Sequence, residues 1–187
     1  MAPVFVLDAC VLYPVVLRDL LLTLAALDAF EPRWSDAIID EMTRNVLVDR
    51  PDLEPSKFEK GVIGAMRRAF PAASVEGYEH LIHDMDNHPK DRHVAAAAVH
   101  IGASAVVTYN VRDFDSELLR QRDIAIITPP QLVGQLVADE PSVVALALRA
   151  MAARKKRPPM TPTDVVAAVV RQQGFRALED SLQVLVD

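Results

Sequence analysis

Four acidic residues of this 187-residue chain stand where chemistry is readily built. Asp8 follows the apolar run Val4 to Leu7, and Asp113 lies a few residues beyond a second run, Ala105 to Thr108. Glu41 sits in an early helical stretch, and Asp91 opens an alanine-rich one. In open α/β sheets, ligands bind beyond the carboxyl ends of the strands, so an acid just past a strand falls at that edge. Carboxylates converging there repel one another and resist ionising without a cation. Mg2+ takes oxygen ligands and keeps several waters, so a few carboxylates suffice to hold it. Such an ion orients a scissile phosphate and lowers the pKa of a water that attacks it. Each acid also has a plainer reading. Asp8 and Asp113 suit turns or caps, and Asp91 is a favoured N-cap at the positive end of a helix dipole. Glu41, roughly 60° around the helix from Ile38, suits a solvated helix edge.

The elements that must position these residues follow from periodicity. Val4 to Leu7 is continuous and apolar, as is a strand buried on both faces. Further strands are expected at Pro32 to Trp34, Ala73 to Val75, Ala105 to Thr108 and Ile124 to Thr128. Helices are expected from Arg18 to Phe30, from a Ser35 cap to about Val48, from a Ser56 cap to Phe70, and from Asp91 to Gly102. Asp115 to Arg120 reads as one or two helical turns, and Pro129-Pro130 opens a helix to about Val137. Strands alternating with helices predict an α/β domain with a mostly parallel sheet. Past Asp139 the pattern is helical throughout: Pro141 to Ala153, a break at Pro158-Pro159, a helix capped by Thr161 with Pro162 at its first position, and Phe175 to Val186 beyond Gly174. We read 1–138 as one domain and 139–187 as a helical extension. The apolar stripes of the extension, among them Val144, Leu148, Val165, Val169 and Leu182, must bury against something. The expectation is that it packs partly on the domain and partly forms an interface, with a second copy or a partner.

The net charge of −6 argues against broad electrostatic capture of nucleic acid. It is compatible with a metal-dependent site, because the ion inverts the local field. Residues 1–138 carry 13 Lys/Arg against 20 Asp/Glu, whereas residues 139–187 carry 7 against 6. The run Arg154-Lys155-Lys156-Arg157 could touch RNA phosphates or form a solvated linker. The single cysteine, Cys10, excludes an internal disulfide and a multi-cysteine zinc site, and fits a reducing, cytoplasmic setting. Cys10 itself reads as a buried small residue. The sequence offers no apolar stretch of about 18 residues to span a membrane, and no basic segment ahead of an apolar run that would mark a secretory signal.

Taken in order, Val-Leu-Asp8-Ala-Cys-Val-Leu-Tyr-Pro, then Glu41, then Lys-Asp91-Arg-His-Val-Ala-Ala-Ala-Ala, then Val-Val-Thr108-Tyr-Asn110-Val-Arg-Asp113-Phe114 resembles the PIN-domain family. The nearest likeness is to its VapC-like branch of toxin ribonucleases paired with antitoxins, over about residues 4–138. The resemblance implies a three-layer α/β/α fold around a parallel sheet of about five strands. It further implies an acidic pocket binding Mg2+ or Mn2+, endonucleolytic cleavage of RNA, and an antitoxin whose cationic segment reaches that pocket. By motif position the catalytic acids are Asp8, Glu41, Asp91 and Asp113, with Asp8, Asp91 and Asp113 as metal ligands and Thr108 and Asn110 in support. Many family members carry an acid where Asn110 stands, so Asn110 and Asp113 both remain candidates for the last ligand. A homodimer is compatible with this reading.

Other readings fare worse. A haloacid-dehalogenase-type phosphatase needs a second aspartate two residues after the first, where this chain has Cys10. A nucleotide-binding loop needs a glycine-rich turn after the strand, and none of the six glycines lies there. His80, His83, His88 and His93 invite a zinc reading, but no HExxH is present, and His80 with His83 fit the exposed face of a short helix. No histidine is required as a base if a metal activates water. The serious alternatives are a PIN-fold interaction module without activity and a nuclease of RNA processing without an antitoxin.

Overall fold

The computed structural model describes residues 2–187. Its sheet is built from β1 (Val4–Leu7), β2 (Glu31–Ser35), β3 (Ser74–Val75), β4 (Ala105–Val107) and β5 (Ala125–Ile127), in the order β3-β2-β1-β4-β5. Every neighbouring pair is parallel. Val6 and Leu7 are adjacent and so point to opposite faces, yet both are fully buried. Helices therefore cover both faces, which gives the expected three-layer α/β/α architecture. All five strands expected from the sequence are present, with ends shifted by about a residue. The strand order reverses between β1 and β4, and at that point the two chains remain tied past the sheet, with Asp8 N–H donating to the Val107 carbonyl at 3.1 Å.

The helices of the domain are α1 (Ala9–Leu12), α2 (Val15–Ala26), α3 (Asp36–Asp49), α4 (Pro55–Phe58), α5 (Gly64–Ala69), α6 (Arg92–Ile101), α7 (Glu117–Gln121) and α8 (Pro129–Asp139). Ser35 caps α3 as expected, its Oγ accepting from Ile38 N–H at 3.3 Å. α6 stops at Gly102, whose φ of +60° is the left-handed conformation that closes a helix without a Cβ clash. Two expectations are corrected. α2 runs earlier than Arg18 to Phe30: Pro14 stands at its N-cap, and Asp28 at φ +62° turns the chain toward β2. Ser56 is not a cap. The chain enters α4 at Glu54-Pro55, Ser56 donates its hydroxyl to Glu54 at 2.6 Å, and a π-helical turn, Glu59–Ile63, separates α4 from α5.

Beyond Asp139 follow α9 (Pro141–Arg154), α10 (Pro162–Val170), a 3-10 turn Phe175–Leu178 and α11 (Glu179–Val184). Thr161 and Asp164 form a reciprocal capping box at α10. α9 packs on α2 and α8, and α10 on α9 and α2. Val144, Leu148, Val169 and Phe175 are fully buried in the same apolar cluster as Val6 and Val107. Among the described residues no helix is long and apolar enough to cross a membrane.

Candidate metal centre

Asp8 leaves β1 at the reversal of strand order and is almost fully buried. It occupies the N-cap position of α1, yet its side chain makes no capping bond. Its Oδ2 instead accepts from Thr108 Oγ1 at 2.6 Å and from the Cys10 thiol at 3.1 Å. Thr108, at the end of β4, accepts from Asn110 N–H at 3.0 Å, so one hydroxyl joins the first strand to the loop that carries Asp113. The cysteine is thus more than core filler. Burial, then the charge of Asp8, pushes its thiol up to about 12.

Asp91 is 2% exposed and sits at the N-cap of α6. Again the side chain makes no capping bond, and its buried Oδ2 has no hydrogen-bond partner. Helix capping therefore does not account for this aspartate. Burial raises its pKa first, followed by the charges of Asp8 and Asp113; Lys90 counters them, and Glu41 adds a smaller push upward. The charges of Asp8, Asp113 and Glu41 thus all reach Asp91. Asp91, Asp113 and His88 each bring a ligand atom within 4.8 Å of the other two.

Glu41 lies on α3 at the margin of the buried Ile38, Met42 and Val46 face, and is only partly exposed. His93, in the first turn of α6, puts Nε2 at 3.7 Å from Glu41 Oε2, while His93 Nδ1 lies 3.1 Å from the Lys90 carbonyl. Asp113 belongs to a 3-10 turn, Val111–Phe114, and is half-buried. Asn110 precedes that turn, is exposed, and makes no side-chain cap. Geometry thus brings Asp113 to Asp91. The four histidines of the rejected zinc reading separate: His80 stacks edge-on against His100, His83 pairs with Asp84, and only His88 and His93 face the acids. In the sequence His88 and His93 enter only the zinc reading set aside above, and the signal available for His88 is its place in the proline turn that leads into Asp91.

The basic run is divided. Arg154 reaches Asp19 at 2.7 Å and Thr23 at 2.6 Å, and Lys155 reaches Asp19 at 3.0 Å, so these two hold α9 to α2. Lys156 and Arg157 are exposed.

An unpartnered carboxylate oxygen in a buried acidic cluster is costly unless a cation satisfies it. The residues present therefore fit a divalent ion. The five-stranded parallel sheet between layers of helices is a three-layer α/β/α fold of PIN-like architecture. A family model described as the VapC50 C-terminal domain matches residues 131–176, which span most of α8, α9 and α10. A protein of Mycobacterium tuberculosis (strain ATCC 25618 / H37Rv), named "Putative ribonuclease VapC50", is 38% identical over 97 residues, covering 51% of this chain and 57% of that relative. The match thus spans a little over half of the relative's length. No solved structure matches. The chain is thus similar to VapC50 over part of its length, and its fold is a three-layer α/β/α arrangement around a parallel sheet.

Proposed function

We propose that this protein is a divalent-metal-dependent endoribonuclease that acts in the cytoplasm as the toxin of a toxin–antitoxin pair. The observation that carries the reading is Asp91 Oδ2, buried and unpartnered among three other carboxylates. Asp8, Asp91 and Asp113 would hold Mg2+ or Mn2+. When bound, the ion polarises a scissile RNA phosphate and activates water. Thr108 fixes the orientation of Asp8 through its 2.6 Å hydrogen bond, and Asn110 steers the loop that presents Asp113. Glu41, whose charge reaches Asp91, would accept the proton of the attacking water. Lys156 and Arg157 are free to meet RNA phosphates. RNA as substrate is favoured by the relative's name. An antitoxin with a cationic segment suits the excess of 20 acids over 13 bases in residues 1–138. The exposed apolar side chains of Leu146 and Val184 on the extension are available to a partner or second copy.

The test is cleavage of a structured RNA by the purified chain with Mg2+ or Mn2+, and its arrest by EDTA. Asp8→Ala, Glu41→Ala and Asp91→Ala should each lower the rate by about 100-fold or more while circular dichroism shows an intact fold. Tight Mn2+ binding with no cleavage of any RNA would leave an inactive interaction module as the better description. Undiminished cleavage by folded Asp91→Ala would remove Asp91 from the site.

A further inference from the structure

His88 has no part in the motif that carries the acids, yet the fold holds it against two of them. It lies in the turn Asn87-His88-Pro89-Lys90 that leads into Asp91 through a 3-10 segment, Pro89–Asp91. This turn is clamped to the turn that carries Asp113. His88 N–H donates to the Asp113 carbonyl at 3.0 Å, Asn87 Nδ2 donates to the same oxygen at 3.3 Å, and Arg92 Nε donates to the Asn87 carbonyl at 3.2 Å. The backbone that carries the exposed imidazole is thereby fixed beside the Asp113 turn, and the ring brings a nitrogen within 4.8 Å of both carboxylates.

Lys90 N–H donates to His88 Nδ1 at 3.4 Å, a long hydrogen bond that an ion taking the nitrogen's lone pair would replace. The same Nδ1 lies 3.8 Å from Asp91 Oδ2, which is buried and has no hydrogen-bond partner. A ring nitrogen beside an unpartnered carboxylate oxygen is a place for a cation. Their separation is one that two donors about 2.1 Å from a shared ion can adopt.

We propose that His88 Nδ1 is a ligand to an ion held with Asp91 and Asp113, and that this nitrogen makes the centre prefer Mn2+ to Mg2+. The inference rests on the metal-dependent reading above and adds the identity of the ion. Mg2+ is a hard ion that favours oxygen donors, whereas imidazole is accepted more readily by first-row transition-metal ions. The other histidine at the acidic edge, His93, addresses Glu41 and lies outside the triplet.

The experiment is titration of the full chain with Mn2+ and, separately, Mg2+, by calorimetry, together with pulsed electron paramagnetic resonance of bound Mn2+ to detect a directly coordinated nitrogen. Wild type should show nitrogen coupling and a preference for Mn2+. His88→Ala should lose the coupling and weaken Mn2+ binding by about tenfold or more, with a smaller change for Mg2+. His88→Asp should also lose the coupling but bind Mg2+ better than His88→Ala does, because an oxygen donor replaces the nitrogen. Folded His93→Gln should keep the coupling. Mn2+ binding without nitrogen coupling in wild type, an unchanged Mn2+/Mg2+ preference in His88→Ala, or coupling lost only in His93→Gln would each overturn the assignment while leaving a carboxylate metal site standing. Failure of wild type to bind either ion would overturn both.

Discussion

At Asp91, burial and the charges of Asp8, Asp113 and Glu41 all oppose ionisation, and Lys90 offsets them only in part. Its folded pKa therefore lies above the ordinary 3.8, and the folded chain binds more protons than the unfolded chain between those two values. Stability of the metal-free protein must fall as pH rises through that window. Asp91→Asn should flatten this slope and raise the melting temperature of the metal-free protein at neutral pH, while saturating Mn2+ should reverse the order by stabilising only wild type. Thermal melts with and without ion check both halves; an unchanged slope in the variant would show that Asp91 bears no such burden. Cys10 gives a second expectation. A thiol pushed up to about 12 carries almost no thiolate at neutral pH, so the folded protein should resist iodoacetamide and react only on denaturation. Rapid alkylation of native protein, followed by mass spectrometry, would contradict this. The acids stand out in the sequence because their order along the chain is distinctive. What sequence could not decide was whether Asp91 caps its helix, since an N-cap aspartate and a ligand aspartate look alike until the side chain is seen making no capping bond. His88 was harder still, because its meaning depends on a backbone clamp to the Asp113 turn, 25 residues downstream in sequence.

The elements read well where a local rule dominates. Ser35, Thr161 and Gly102 end or begin helices as their chemistry dictates. The reading failed at Ser56, where Pro55 defined the helix start instead, and at the end of α2, where Asp28 adopts a positive φ that its sequence did not announce. Ser35→Ala should cost about 1 kcal/mol of stability through loss of the cap, measured by urea unfolding. Gly174 is more demanding. Its φ is +79°, and a Cβ there would lie 2.9 Å from Pro130 Cγ, at the start of α8. Gly174→Ala should therefore cost roughly 1–3 kcal/mol, more than Ser35→Ala, and an equal or smaller loss would show that the extension yields easily at this joint.

For the molecule as a whole, the boundary at Asp139 marks a change of pattern, but apolar packing continues across it. Val144, Leu148, Met151, Val169, Phe175 and Leu182 are each at most 1% exposed. Burying a side chain of this kind contributes roughly 1.5–3 kcal/mol, and the α2 face that receives α9 would be uncovered by its loss. Truncation after Asp139 should thus leave a protein that aggregates or melts far below the full chain; a truncated form with the same melting temperature would make the extension an independent unit. The sequence required these stripes to be covered but could not say by what, because an amphipathic helix names no partner. Tyr109 shows the same continuity near the acids, its hydroxyl donating to the Gln173 carbonyl at 3.0 Å. The strand order carries one more consequence, for synthesis of the chain. β1 is made before β4 but pairs with it in the middle of the sheet, and the hydroxyl that orients Asp8 is separated from it by 100 positions. A growing chain on the ribosome, emerging N-terminal end first, must hold β1 half-paired until β4 appears. A product terminated before β4 therefore lacks both the partner strand of β1 and the hydroxyl that orients Asp8.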